Sequence, residues 1–178
     1  MTNLPVPVVA PVAAGQLITG ALWNAQVYNG VTFSTNVPIF IGTQSAVQSV
    51  ANSTSTAVSL DASTVDTYAG HSNSSNNSRY VAQVAGWYEV NGTVSYAANA
   101  TGARTAWIRV NGNIVPGAFN QTGNAGSSST SSVAVSALVY LNAGDYVELY
   151  TAQYSGAPLS TSNVNSQTSC MFAMWVHA

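Results

Sequence analysis

The chain has 178 residues; 47% are hydrophobic and 4% are charged, where an average soluble domain is about 25% charged. Three Lys+Arg against five Asp+Glu give a formal charge of −2, and the cations Arg79, Arg104 and Arg109 are all arginines. Three scattered cations cannot neutralise a phosphate backbone or hold a polybasic contact with lipid headgroups, which excludes nucleic acid and a membrane surface as partners. The apolar content and small net charge also exclude charge-driven disorder.

The length suits one core-forming domain with a short extension: an N-terminal arm over 1–42 and a domain over 43–178. Ser, Thr, Asn and Gln stand where charges usually do. Such a surface does not repel copies of itself, which eases subunit association.

Residues 1–16, MTNLPVPVVAPVAAGQ, are apolar and small but lack a positive first segment. Pro5, Pro7 and Pro11 break any apolar helix, so the stretch reads as extended chain rather than a secretory signal. No stretch reaches the roughly 18 apolar residues of a membrane span. Thr19 is a helix cap, and Asn29-Gly30 is a stop, so a helix of about three turns is expected over 19–30. Ile18, Leu22, Trp23 and Val27 share one side of it. A helix this short needs a surface to dock on, either its own domain or a partner.

From Phe40 the apolar period becomes two. Strands are expected over 79–84, 87–98, 104–111, 131–141, 145–154 and 168–177, with weaker candidates over 47–50 and 56–60. Asn111-Gly112 is a hairpin signal. Asn91-Gly92 sits inside an unbroken alternation, so Gly92 reads as a strand residue. The runs 71–78 and 123–132 read as polar loops. Many short strands without helices mean a β-sandwich or barrel. The last strand is largely apolar on both faces: Met171, Ala173, Trp175 and His177 on one, Cys170, Phe172, Met174 and Val176 on the other. One face can fill the core; the other needs cover, from a neighbouring subunit or from the arm. Cys170, the single cysteine, lies in this run as a small buried hydrophobe.

Val84-Ala85-Gly86-Trp87-Tyr88-Glu89-Val90 resembles the opening long strand of tumour-necrosis-factor-like and complement-type jelly rolls. Leu141-Asn142-Ala143-Gly144-Asp145-Tyr146-Val147-Glu148-Leu149 resembles their Leu-x-x-Gly-Asp-x-Val-x-Leu hairpin. The front of the chain, Ile18 to Asn24, Asn29 to Phe33 and Asn36-Val37-Pro38, is similar to the start of small proteins of tailed actinobacterial phages, in which such a segment precedes this kind of jelly roll. Asn76 to Tyr80 and Tyr96 to Gly102 match the same group. The resemblance implies an all-β jelly-roll sandwich, a homotrimer around a threefold axis, and a structural role on the virion surface.

Catalytic chemistry needs a nucleophile, base and orienter, paired carboxylates, or a metal. His71 and His177 lack ligand partners at short spacing, and no metal or phosphate-cradle motif occurs. Asp61 and Asp66 read as solvated loop acids, the alternative being a weak calcium pair; Asp145 reads as a turn former. No cofactor and no enzymatic activity are expected. The leading expectation is a trimeric capsid-decoration or head-fibre protein. Its arm would grip a major capsid or tail protein through Leu17, Ile18, Leu22, Trp23, Val27 and Phe33. Trp107, Phe172, Met174 and Trp175 are the candidate subunit-interface residues. The alternative is a tail-associated module recognising a host glycan or cell wall through loops bearing Tyr68, His71 and Tyr154.

Overall fold

The computed structural model describes residues 3–123, 126–164 and 167–178. Helix α1 (Gly20–Trp23), a π-helical turn (Asn24–Tyr28) and helix α2 (Asn29–Thr35) run on without a break. Thr19 caps the start, its hydroxyl accepting from the Leu22 N–H at 3.2 Å. The expected stop at Asn29-Gly30 is not used; Asn29 keeps helical angles, and the run ends at Asn36. Continuing brings Phe33, 5% exposed, into a cluster with Tyr68, Val84 and Trp175. Burying one aromatic ring outweighs the cost of about 1 kcal/mol of a helical glycine.

The strands are β1 (Ile39–Thr43), β2 (Ser49–Val50), β3 (Thr56–Ala57), β4 (Ala62–Asp66), β5 (Arg79–Val81), β6 (Gly86–Tyr96) and β7 (Arg104–Val110). They continue with β8 (Asn113–Thr122), β9 (Ser131–Leu141), β10 (Tyr146–Gln153), β11 (Leu159–Ser160), β12 (Asn163–Val164), β13 (Gln167–Thr168) and β14 (Cys170–His177). A five-stranded sheet has the order β4-β1-β14-β6-β9, and the facing sheet has the order β3-β10-β7-β8, with β5 also on β10. The pairings within both sheets are antiparallel. Sequence-adjacent strands mostly lie in different sheets, as in a jelly roll.

The core lies between the sheets. Phe40, Val90, Val94, Met171 and Ala173 from one meet Ala106, Ile108, Val147 and Leu149 from the other, all fully buried. Each such aliphatic or aromatic side chain contributes about 1.5–3 kcal/mol by leaving water. Gly92 is a strand residue, as the alternation predicts; a Cβ there would sit 2.5 Å from Leu149 Cδ1 of the opposite sheet. Asn111 and Gly112 both have positive φ, 49° and 79°, which is the primed turn their pairing predicts. Five strands, β1, β4, β8, β11 and β12, lie outside the ranges expected from sequence. β8 is exposed at most positions and has Gly117 at φ 80°, so no alternation marks it. β4 is an edge strand where a loop between Asp61 and Asp66 is expected from sequence.

Candidate subunit interface and docking arm

The outer face of the five-stranded sheet follows from the pairing register. Directly opposed residues share a face. One row reads Ile39–Met174–Glu89–Leu138, and the next reads Ile41–Phe172–Asn91–Ser136. A third, Thr43–Cys170–Thr93–Ala134, is more polar, and Ser95 and Ser132 follow it, their hydroxyls 2.8 Å apart. At the opposite end Trp87 pairs with Tyr140 and His177; the Trp87 and Tyr140 rings meet edge to face at 5.7 Å. Apolar character therefore rises along the face toward the ends of β6 and β9 where Trp87 and Tyr140 sit.

Most of this surface is solvent-facing in the single chain. Leu138 is 57% exposed and Tyr140 48%. Phe172, Met174, Ile39 and Ile41 are half-buried by lying side by side. Burial raises the Cys170 thiol above its usual range; a protonated thiol there behaves as a small hydrophobe. Glu89 is the single Asp or Glu on the rows just named, and its Oε1 accepts from Asn91 Nδ2 at 3.1 Å.

Of the four interface candidates, Phe172 and Met174 lie on this face. Trp175 has the opposite phase. Its ring meets Phe33 edge to face at 4.8 Å, and its indole N–H donates to Ala85 O at 3.1 Å. Trp107 is on the other sheet and 7% exposed, stacked between Phe119 and Tyr150 with centroids at 6.1 and 6.0 Å. Arg109 covers Tyr150 at 4.2 Å, and Arg79 covers Tyr146 at 4.1 Å while pairing with Glu148 at 3.2 Å. Cation–π contacts thus cover Tyr146 and Tyr150 on that face, while Phe119 stays 54% exposed. The residues a sequence reading misses are Trp87, Leu138, Tyr140, Ile39 and Ile41. Leu138 and Tyr140 do leave a signal: they are large apolar residues in the outward phase of β9, between the inward Val135, Val139 and Leu141.

The arm folds onto its own chain at one end of the sandwich. Leu4, Val6 and Val37 pack on the Phe33–Tyr68–Val84 cluster, and Tyr68 Oη donates to Leu4 O at 3.1 Å. Ala10 N donates to Gln26 Oε1 at 3.0 Å. Phe33 is therefore an internal anchor and Leu22 is half-buried, whereas Leu17 (80%), Ile18 (67%), Trp23 (54%) and Val27 (38%) face solvent. Val31 extends that stripe one turn further, and Tyr28 is exposed beside it. The first 60 residues contain no Asp, Glu, Lys, Arg or His, so the exposed stripe has no charged border of its own.

The titratable groups outside these surfaces serve the fold. Asp61 accepts from the backbone of Ser45 and Ala46, and Asp66 from Gly70 and His71, each at a separate turn. Partial burial opposes the charge on Asp61, but these hydrogen bonds hold its carboxyl below the usual range. Both ring nitrogens of His71 lie against carbonyls, Arg79 O at 2.7 Å and Leu60 O at 2.9 Å. Asp145 bonds Asn111 Nδ2 and the Asn142 amides, which hold it below the usual range and close two turns at once. Among the described residues no group of three or more His, Cys, Asp and Glu could hold a metal ion.

The sequence matches no described protein family and no curated protein. The fold does match: it is the jelly-roll sandwich of the tumour-necrosis-factor and complement C1q kind, with a helical N-terminal arm. The globular domain of zebrafish complement 1qA aligns with a TM-score of 0.56 over 78% of this chain and 96% of its own, at 13% identity. Murine APRIL aligns with a TM-score of 0.56 over 77% of this chain and 98% of its own, at 14% identity.

Proposed function

We propose that the chain is a non-enzymatic structural subunit that assembles as a homotrimer through the outer face of its five-stranded sheet. The observation that carries this reading is that face: Phe172, Met174, Ile39, Leu138, Trp87 and Tyr140 form a continuous apolar surface with one carboxylate in it. Contiguous apolar surface of this kind marks an interaction site on a soluble protein. A permanent interface on it would bury on the order of 2,000 Å² or more. The jelly-roll likeness supports the geometry.

The role we propose is on the virion surface, as a capsid decoration or head fibre of a tailed phage. The support is the sequence resemblance of residues 18–38, 76–80 and 96–102, together with the form of the arm. An arm fixed to its own sandwich by Phe33 and Leu4 presents Ile18, Trp23 and Val27 outward as a preformed apolar ridge for a capsid protein. Imaging of whole particles of the phage that encodes the chain tests the placement. Density for the jelly roll on the shell supports it; density confined to tails overturns it.

A second reading is recognition of a host glycan. A groove of about 540 Å³ between Asn91, Thr93, Phe119, Asn120 and Ser136 offers amides, hydroxyls and one exposed ring without a charge, which suits a neutral sugar. Of the loop residues expected for that role, Tyr68 is buried against Leu4 and His71 is tied between carbonyls, while Tyr154 is 46% exposed. A glycan array with the full chain separates the two readings.

A further inference from the structure

This inference rests on the trimeric reading above. The face through which copies would pack holds Glu89 at the centre of an apolar row, between Met174 on β14 and Leu138 on β9, with Ile39 beyond Met174. The chain has no lysine and three arginines, and each arginine is committed elsewhere. Arg79 and Arg109 lie over Tyr146 and Tyr150 on β10 of the other sheet. Arg104 is fully buried, bound to the carbonyls of Thr101, Gly102 and Ala103. None of the three guanidiniums therefore lies on this face. The titratable groups around Glu89 are His177 on β14 and Tyr140 on β9, both in the row of Trp87, and Cys170 on β14 two rows away; β1 carries none.

A carboxylate taken out of water without a counter-ion strongly opposes association, whereas a neutral carboxyl or carboxamide of the same shape opposes it far less. Closed symmetry multiplies the effect, since each interface repeats the same residue. We propose that Glu89 gates assembly. The subunits associate with its carboxyl neutral, so each trimer takes up protons from solvent as it forms and tightens as the pH falls.

Sedimentation of the full chain over a concentration series, at about pH 8 and about pH 5, tests this with the wild type, Glu89→Gln and His177→Gln. At about pH 8 Glu89→Gln should half-assemble at a concentration lower by at least about tenfold. Acidification should tighten the wild type and His177→Gln toward that value and leave Glu89→Gln unchanged. A trimer too tight to dissociate on dilution gives the same comparison through its urea midpoint. A trimer unaffected or weakened by Glu89→Gln, or a pH response abolished by His177→Gln, overturns the gate while leaving the trimer standing. Monomers in every condition overturn the trimeric reading, and the gate with it.

Discussion

Phe33 of the arm and Trp175 of the last strand meet edge to face, ring centroids 4.8 Å apart at 89°. This contact decides how the arm relates to the domain. The helical run is too short to persist alone; it is held because Phe33 sits on the inward side of β14 while the outward side stays open. The arm thus covers the Trp175 end of that inward side, the facing sheet covers Met171 and Ala173, and Phe172 and Met174 are left for something else.

Phe33→Ala should cost about 3 kcal/mol, the range for removing a buried ring. The Trp175 indole would also lose one wall of its pocket. Urea denaturation reads the first effect, and a red shift of tryptophan emission in the folded protein reads the second. An unchanged midpoint would mean the arm is not anchored there.

Leu138 and Trp107 separate the two sheet faces. Leu138→Asp places a charge on the exposed row beside Glu89 and should yield folded monomers with a melting temperature close to that of a monomeric control. Trp107→Phe keeps the stack between Phe119 and Tyr150 and should leave the oligomeric state unchanged. Light scattering on both variants checks the pair. The opposite pattern would move the interface to the other sheet.

Arg104 is a buried cation whose guanidinium reaches the carbonyls of Asn99, Thr101, Gly102 and Ala103, from 2.9 to 3.4 Å, and the side-chain carbonyl of Asn99 at 3.2 Å. Burial lowers its pKa, and the Tyr96 ring beside it opposes that shift. A lysine cannot reproduce the planar fork. Arg104→Lys should destabilise by about 1–3 kcal/mol, the scale of one or two charged hydrogen bonds, measured by urea denaturation. Protease cleavage within 99–103 should rise in parallel.

Burial pushes the hydroxyls of Tyr88 and Tyr96 up to about 12, and burial raises Tyr80 further still. These groups bind their protons more tightly folded than unfolded. Their contribution to stability is therefore complete below about pH 10, the unfolded value, and is lost as pH rises toward about 12. Melting temperatures should fall across that window. Tyr96→Phe should flatten part of the fall, while losing the 2.7 Å bond to Thr151 Oγ1. A flat alkaline limb would contradict the burial of these rings.

Much of the sandwich is legible in the residues. The alternation of β6 and β9, the primed turn at Asn111-Gly112 and the tight turn over Asn142 to Asp145 each report local physics that the fold keeps, although the strands on either side of that last turn, β9 and β10, enter different sheets instead of pairing as the expected hairpin. β8 is not legible, because Ile114, Pro116, Gly117 and Phe119 are mostly exposed and show no period. The helix end is missed because Phe33's contact with Tyr68 and Trp175 is non-local, and no turn propensity reports it. The outer apolar face is half legible. The last strand reveals Phe172 and Met174, but Trp175 looks equivalent until pairing fixes the phase. Leu138 and Tyr140 gain meaning only when β9 is placed two strands from β14.

The most direct test of the account is the mass of the full chain in solution near neutral pH, by light scattering across a dilution series. The account predicts a species of three times the 18.3 kDa chain mass, populated at the higher concentrations and broken by Leu138→Asp. A single 18.3 kDa species at every concentration, with Leu138→Asp indistinguishable from the wild type, would contradict it.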